Sequence, residues 1–435
     1  MKFVLGVVFG ILGGVFLSFF INFTEVENQN VSDESTVTIS SAEPTLEPSN
    51  IETNSDKKNS IIDKLSNKKF KKVYSLLQRN YYQPEDITDE KIEEWLIRGL
   101  LYSVEDPYTD YFNEEQSDDF KDEMKGDFEG IGAVLEKRKK NLYITEVLKK
   151  RPAAKAGLLP GDIIIEVDEK SVRDETIWET ILRIRGEKGT DVLLKIVRKG
   201  EVKDITITRA NIHVENITLQ WLGKNNTIAY FDISQFGDTL NEEFLEAYKQ
   251  FQLKKEDKTS ADVSGIIIDL RYNGGGYLDG AVQLASYFLP KDVVVLKIET
   301  NKGIESVLKS QKLSVFSGMK KDITTPIVIL VNGGTASSSE IFTSALKEYN
   351  RATVVGENTF GKGVVQQIFP LGIASDDFVK ITIAKWLTPS EANLTYENPI
   401  IPDEIVEWDR SKMTDEQFEN EYDPQLEKAI EILEK

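Results

Sequence analysis

The 435-residue chain has no cysteine and a single histidine, His213. Without cysteine there can be no disulfide framework, no thiol nucleophile and no thiolate metal ligand, although the lack does not identify a compartment. One histidine is too few for a multi-histidine zinc site, and a Ser-His-Asp triad would need His213 itself in a suitable setting. It lies in ITRANIHVEN, a strand-like run with no nucleophile motif beside it, and reads as a structural or surface residue. Positive charge is also short: 53 Lys and Arg stand against 73 Asp and Glu, a formal charge of −20. Such a chain is repelled by nucleic acid and by anionic headgroups, so its expected partners are proteins or peptides. Its oligomeric state stays open, a homo-oligomer included. With 40% hydrophobic residues the chain can fill the two or three cores that its length suggests.

Residues Phe3 to Phe23 carry no charge, and at about 1.5 Å per residue a helix there would span roughly 30 Å, the thickness of a bilayer core. No small-x-small site precedes the polar segment, so an uncleaved single-pass anchor over 1–23 is expected ahead of a cleaved signal peptide. Lys2 would lie on the cytoplasmic side and the catalytic body outside the cell membrane. Residues 24–60, rich in Ser, Thr, Glu and Asn, read as a linker. A helical region is expected over 61–125, with Val73, Tyr74 and Leu77 on one face, then Thr88 as an N-cap before Ile92, Trp95, Leu96 and Leu100. Short strands and one helix, Asp174 to Arg185, make 126–210 a β-rich domain. From 211 to 410 the apolar runs YFDIS, GIIIDL, VVVLKI, PIVILV and ATVVG alternate with helical stretches, the pattern of an α/β core with buried strands. A helical tail is expected over 411–435.

Two pieces of the β-rich region, FEGIGA from Phe128 and RPAAKAGLLPGDIIIEVDEKSV from Arg151, resemble a PDZ domain. In that family a Gly-x-Gly turn points backbone amides at a peptide's terminal carboxylate while the peptide adds as an edge strand. The resemblance puts Gly130, Ile131 and Gly132 in that turn. Ile177 and Ile181 on the helix would line an apolar groove, implying substrates with apolar C-terminal residues.

Three segments of the α/β core carry candidate chemistry. In PIVILVNGGTASSSEIFTSALKE a strand and a glycine turn lead into a helix beginning near Ser337, where the Ser338 N–H can face an oxyanion. By itself such a serine is more often an N-cap. GENTFGKGVVQQ sets Lys362 between Gly361 and Gly363, and a lysine can act as a base only if desolvation lowers its pKa from about 10.4. GIIIDLRYNGGGYLDGA is a buried strand ending in the turn Gly274 to Gly276, whose amides suit an oxyanion hole or, less well, a phosphate.

Together with VEDPYTDYF, LTPS and IIPDEIV, these motifs resemble the C-terminal processing, or tail-specific, proteases over nearly everything from Phe70 to Trp408. The resemblance implies a crotonase-like α/β protease core with an inserted PDZ domain and an N-terminal helical region. It implies Ser337 as nucleophile, Lys362 as general base and Gln366 as the residue orienting that lysine. Gly275 and Ser338 would be the oxyanion donors, and no metal or organic cofactor would be needed. Glu391 and Asn398 stand where the family usually has glycine. The competing readings are a PDZ adaptor with an inactive protease core and an acyl-CoA enzyme of the crotonase type, the latter leaving the PDZ insertion unexplained.

Overall fold

The apolar runs form the middle of a six-stranded sheet, ordered Ile217–Leu222, Ile228–Ile233, Gly265–Asp269, Ile327–Val331, Thr353–Gly356 and Glu404–Ile405. The first two strands pair antiparallel and the rest are parallel. These coordinates are a computed structural model, which describes residues 68–83, 87–138, 141–148, 150–173, 175, 177–257, 259, 262–313, 319–372, 376–408 and 422–435.

Every residue of Gly265–Asp269 and Ile327–Val331 is buried, as parallel strands covered on both faces require. Side chains alternate between the two faces. Ile266, Ile268, Ile327, Ile329 and Val331 join the main core with Phe244, Phe288 and Phe342 from the helices Leu240–Glu256, Leu278–Phe288 and Ser338–Glu348. Ile267, Val328 and Leu330 point the other way, against Ala429 and Leu433 of the helix Pro424–Leu433.

A second sheet runs Asp110–Phe112, Phe378–Leu387, Val294–Thr300 and Gly303–Lys309, with Val364–Pro370 also paired to Phe378–Leu387. The β-rich domain has its own sheet, Ala133–Arg138, Asn141–Val147, Ile163–Val167, Asp191–Arg198 and Glu201–Thr208, and its own core around Ile144, Val167, Val192 and Leu194. Its helix is Ile177–Ile184, shorter than expected. The chain enters and leaves this domain through one antiparallel ribbon, Asp127–Gly130 against Ala210–His213. The molecule is thus an α/β multidomain protein, as its sequence leads one to expect.

Residues before Glu105 fall largely in a separate unit, Asn22–Val104, whose described part holds the helices Lys68–Asn80 and Asp89–Tyr102. Thr88 caps the second, its hydroxyl accepting from Lys91 N at 3.3 Å. Trp95, Leu96 and Leu100, the apolar stripe of that helix, are exposed.

The expectation of a single-pass anchor is corrected, and with it the extracytoplasmic placement. No helix among the described residues is long and apolar enough to cross a membrane, and residues 1–23 and 24–60, on which the anchor and linker fell, lie outside the described residues.

Candidate active site

Ser337 stands between the turn that ends the strand Ile327–Val331 and the helix Ser338–Glu348, with φ +63° and ψ −119°. A β-carbon makes positive φ costly, so the surroundings must hold it there. They do so through its amide, which donates to Glu340 Oε2 at 2.8 Å. The side chain is wholly buried, and its Oγ has no hydrogen-bond partner among the described residues. Burying a hydroxyl unpaired costs about 1–3 kcal/mol, a cost that ordinary packing removes.

Glu340 does more than hold the serine. Its Oε2 also accepts from Lys362 N at 2.8 Å, while Oε1 accepts from Gly361 N at 2.7 Å and Thr359 Oγ1 at 2.6 Å. One buried carboxylate therefore fixes the backbone of both Ser337 and Lys362. Burial pushes its pKa up, and these four donors pull it back towards the ionised form. The Ser337-x-x-Glu340 spacing is that of a capping box and accounts for the bond to the Ser337 amide, but no spacing points to the donors at Thr359, Gly361 and Lys362, which lie in a distant segment.

Lys362 is buried, with Gly361 and Gly363 packed tightly around it: a β-carbon at either would lie within 2.2 Å of the Thr395 or Leu394 carbonyl oxygen. Its Nζ donates to Gln366 Oε1 at 3.1 Å and lies 5.0 Å from the centre of the Tyr108 ring. Gln366 is oriented in turn, its Nε2 donating to the Tyr108 carbonyl at 2.9 Å. Burial, then the like charge of Lys380, holds the Lys362 pKa well below the usual lysine range, against the opposite pull of Glu340 and Asp106. Burial beside Glu340 and Asp106 pushes the Tyr108 phenol up to about 12, so it stays neutral.

The glycine turn packs directly on the serine. A β-carbon on Gly275, where φ is +105°, would lie 2.7 Å from Ser337 Cβ and 2.9 Å from Ser338 N. Yet the Gly275 amide donates to Asn273 Oδ1 at 2.9 Å. The Ser338 amide, one of the helix's first, makes no hydrogen bond among the described residues. The structure thus joins Lys362 to Gln366 and fixes Ser337 and Lys362 to one carboxylate, but in this conformation no hydrogen bond links Ser337 Oγ to Lys362.

In the β-rich domain, Gly132 has φ +75° and lies so close to Arg151 that a β-carbon would approach Arg151 Cβ to 2.6 Å. The carbonyls of Ile131 and Gly132 accept from Ala153 and Leu148 at 2.8 and 3.0 Å, which fixes the turn. Ile131 and Ile181 are buried in that domain's core. Ile177 opens the helix, and its side chain lies outside those described. His213 is exposed on the ribbon, its Nδ1 2.8 Å from Asp127 Oδ1, far from any nucleophile motif.

Residues 227–406 match the model of peptidase family S41, 130–208 that of a PDZ domain, and 31–116 that of the activating protease CtpB N-terminal domain. The chain is 36% identical over 340 residues to a probable CtpA-like serine protease of Staphylococcus saprophyticus, covering 78% of this chain and 65% of that one. A Staphylococcus aureus protein of the same name is 37% identical over 341 residues, covering 78% and 64%. The chain therefore spans just under two thirds of the length of these curated relatives. Among solved structures, a photosystem II D1 C-terminal processing protease superposes with a TM-score of 0.53 at 22% identity, covering 78% of this chain and 92% of that one. A putative S41 protease from Bacteroides fragilis gives 0.54 at 16% identity, covering 83% and 96%. At such identities these two speak for the fold alone.

Proposed function

From a chain that belongs to the C-terminal processing proteases of peptidase family S41, we infer a serine endopeptidase that takes substrates by their free, apolar C-termini through its PDZ domain. The observation that carries this reading is the wholly buried Ser337 hydroxyl, unpartnered among the described residues and at strained φ, tied through Glu340 to a lysine whose burial holds its pKa well below the usual lysine range.

In the proposed reaction neutral Lys362 takes the Ser337 proton, and the alkoxide attacks the scissile carbonyl carbon. The amides of Ser338 and Gly275 hold the oxyanion. The lysine then gives its proton to the leaving amine, and water, deprotonated by Lys362, hydrolyses the acyl-enzyme. Gln366 keeps the amine aimed. Two contacts must change first: the Ser337 hydroxyl has to meet Lys362, and the Gly275 amide has to leave Asn273. Those same two contacts favour the adaptor reading, a PDZ protein with a silent protease core.

One assay separates the readings. Purified protein is incubated with an unfolded polypeptide bearing a free or an amidated C-terminus. The free-acid form should be cleaved and the amide cleaved poorly, because the turn at Gly130 to Gly132 loses its anionic ligand. Ser337→Ala, Lys362→Ala and Lys362→Arg should each abolish cleavage, the arginine because a guanidinium stays protonated and cannot accept the serine proton. Cleavage by Lys362→Arg but not by Ser337→Ala would show that the base is another group.

A further inference from the structure

A second lysine is buried on the sheet face that carries Gln366. Across the paired strands Val364–Pro370 and Phe378–Leu387, Gln366 stands opposite Thr382 and Ile368 opposite Lys380. Alternation along a strand then projects Gln366, Ile368, Lys380 and Thr382 from one face. On the other side of Lys380 the register sets Asp110 directly opposite it. Lys380 is 2% exposed, and its Nζ lies 4.8 Å from the centre of the Phe112 ring and 6.0 Å from that of Phe120.

Among Phe112, Phe120 and Phe378 a leucine or methionine would pack well, and a buried charge costs several kcal/mol unless it is compensated. Compensation is present: Asp110, Glu123 and Asp106 all face Lys380, and its pKa, lowered by burial to about 8, leaves it mostly charged at neutral pH. The charged groups that face Lys362 are Lys380, Glu340 and Asp106, with the neutral Tyr108 ring beside them. Glu340 and Asp106 both favour protonated Lys362. Lys380 is the one group of this set that opposes it.

We propose that Lys380 is a positioning residue of the site: its buried ammonium repels a proton from Lys362 and so sets the pH at which that amine can act as a base, an assignment resting on the Ser337 and Lys362 reading above. It touches no substrate and acts only through Lys362. The fold thereby keeps Glu340, which it needs for geometry, without letting that carboxylate hold the base in its protonated form.

The test is the pH profile of kcat/KM for peptide cleavage, from about pH 6 to about pH 10, in wild type, Lys380→Met and Lys380→Gln. Both variants remove the charge, and methionine nearly keeps the length. The rising limb should move to higher pH by about one unit, the order of effect of one nearby charge. That is a roughly tenfold loss below the limb and recovery above it. Partial misfolding would lower the whole profile without moving its midpoint. An unmoved midpoint in a folded variant, or activity that fails to return at high pH, overturns the assignment. If instead Ser337→Ala cleaves as well as wild type, or wild type cleaves nothing, the underlying reading fails and this assignment with it.

Discussion

At the residue scale the centre of the site is Glu340, which accepts four hydrogen bonds from backbone and side-chain donors of two segments. Glu340→Gln keeps the shape but turns one oxygen into a donor facing backbone donors; the Thr359 hydroxyl can turn to accept, so at least one of the four bonds, that from the Gly361 amide, cannot form. Each buried bond left unmade costs roughly 1–3 kcal/mol. The variant should lose stability in a urea melt by at least that amount and lose most cleavage, since the loops bearing Ser337 and Lys362 are no longer held together. A variant that melts and cleaves like wild type would remove Glu340 from this role. The motif GGTASSSE marked Ser337 in the sequence and contains Glu340, but its bonds to Thr359, Gly361 and Lys362, and the Tyr108 carbonyl that orients Gln366, were not legible, because these partners lie far away in the chain. Lys380 was hidden for the same reason. In the strand pattern it is one polar residue among apolar ones, and only sheet register reveals what faces it.

At the scale of elements, the buried strands and the helix after Ser337 follow from composition and periodicity, since continuous apolar runs leave few alternatives to a covered parallel sheet. Turns were less legible. Glu391, where the resemblance leads one to expect glycine, adopts φ +71°, the left-handed conformation that glycine takes without strain, and it pairs with Lys297. The turn at Gly275 is less forgiving, because it packs against the Cβ of Ser337 itself. Gly275→Ala should therefore lower the cleavage rate by about a hundredfold or more, the order of effect of losing one oxyanion donor. Peptide binding by the PDZ domain should stay within error, as measured by titration of a labelled C-terminal peptide. Parallel losses of binding and cleavage would point to general unfolding instead.

Across the whole molecule, the PDZ domain meets the core at its two-stranded ribbon and through the ion pair of Arg185 Nη2 with Glu123 Oε1 at 3.2 Å, with Arg185 also 5.2 Å from the centre of the Phe128 ring. Burial pushes the Glu123 pKa up and Arg185 pulls it down. Exposed pairs contribute about 0–1 kcal/mol, but stripping the partner from a buried carboxylate costs more. Arg185→Ala should thus destabilise the protein by more than 1 kcal/mol in a urea melt, about the upper limit for a surface pair. Adding Glu123→Gln should restore part of that loss. If the double variant is no better than the single one, the cost lies in lost packing on Phe128. A different consequence follows from the helix Pro424–Leu433. It covers one face of the central sheet, Leu433 fills the space left by Gly265, and Asp423 binds Arg271, which itself holds Asp269 at the end of the strand leading to the glycine turn. The strand that leads to the glycine turn is thus braced by a helix more than 150 residues further along the chain, so Asp423→Ala should loosen Arg271 and lower cleavage without touching any group near Ser337, which kcat at saturating peptide would read.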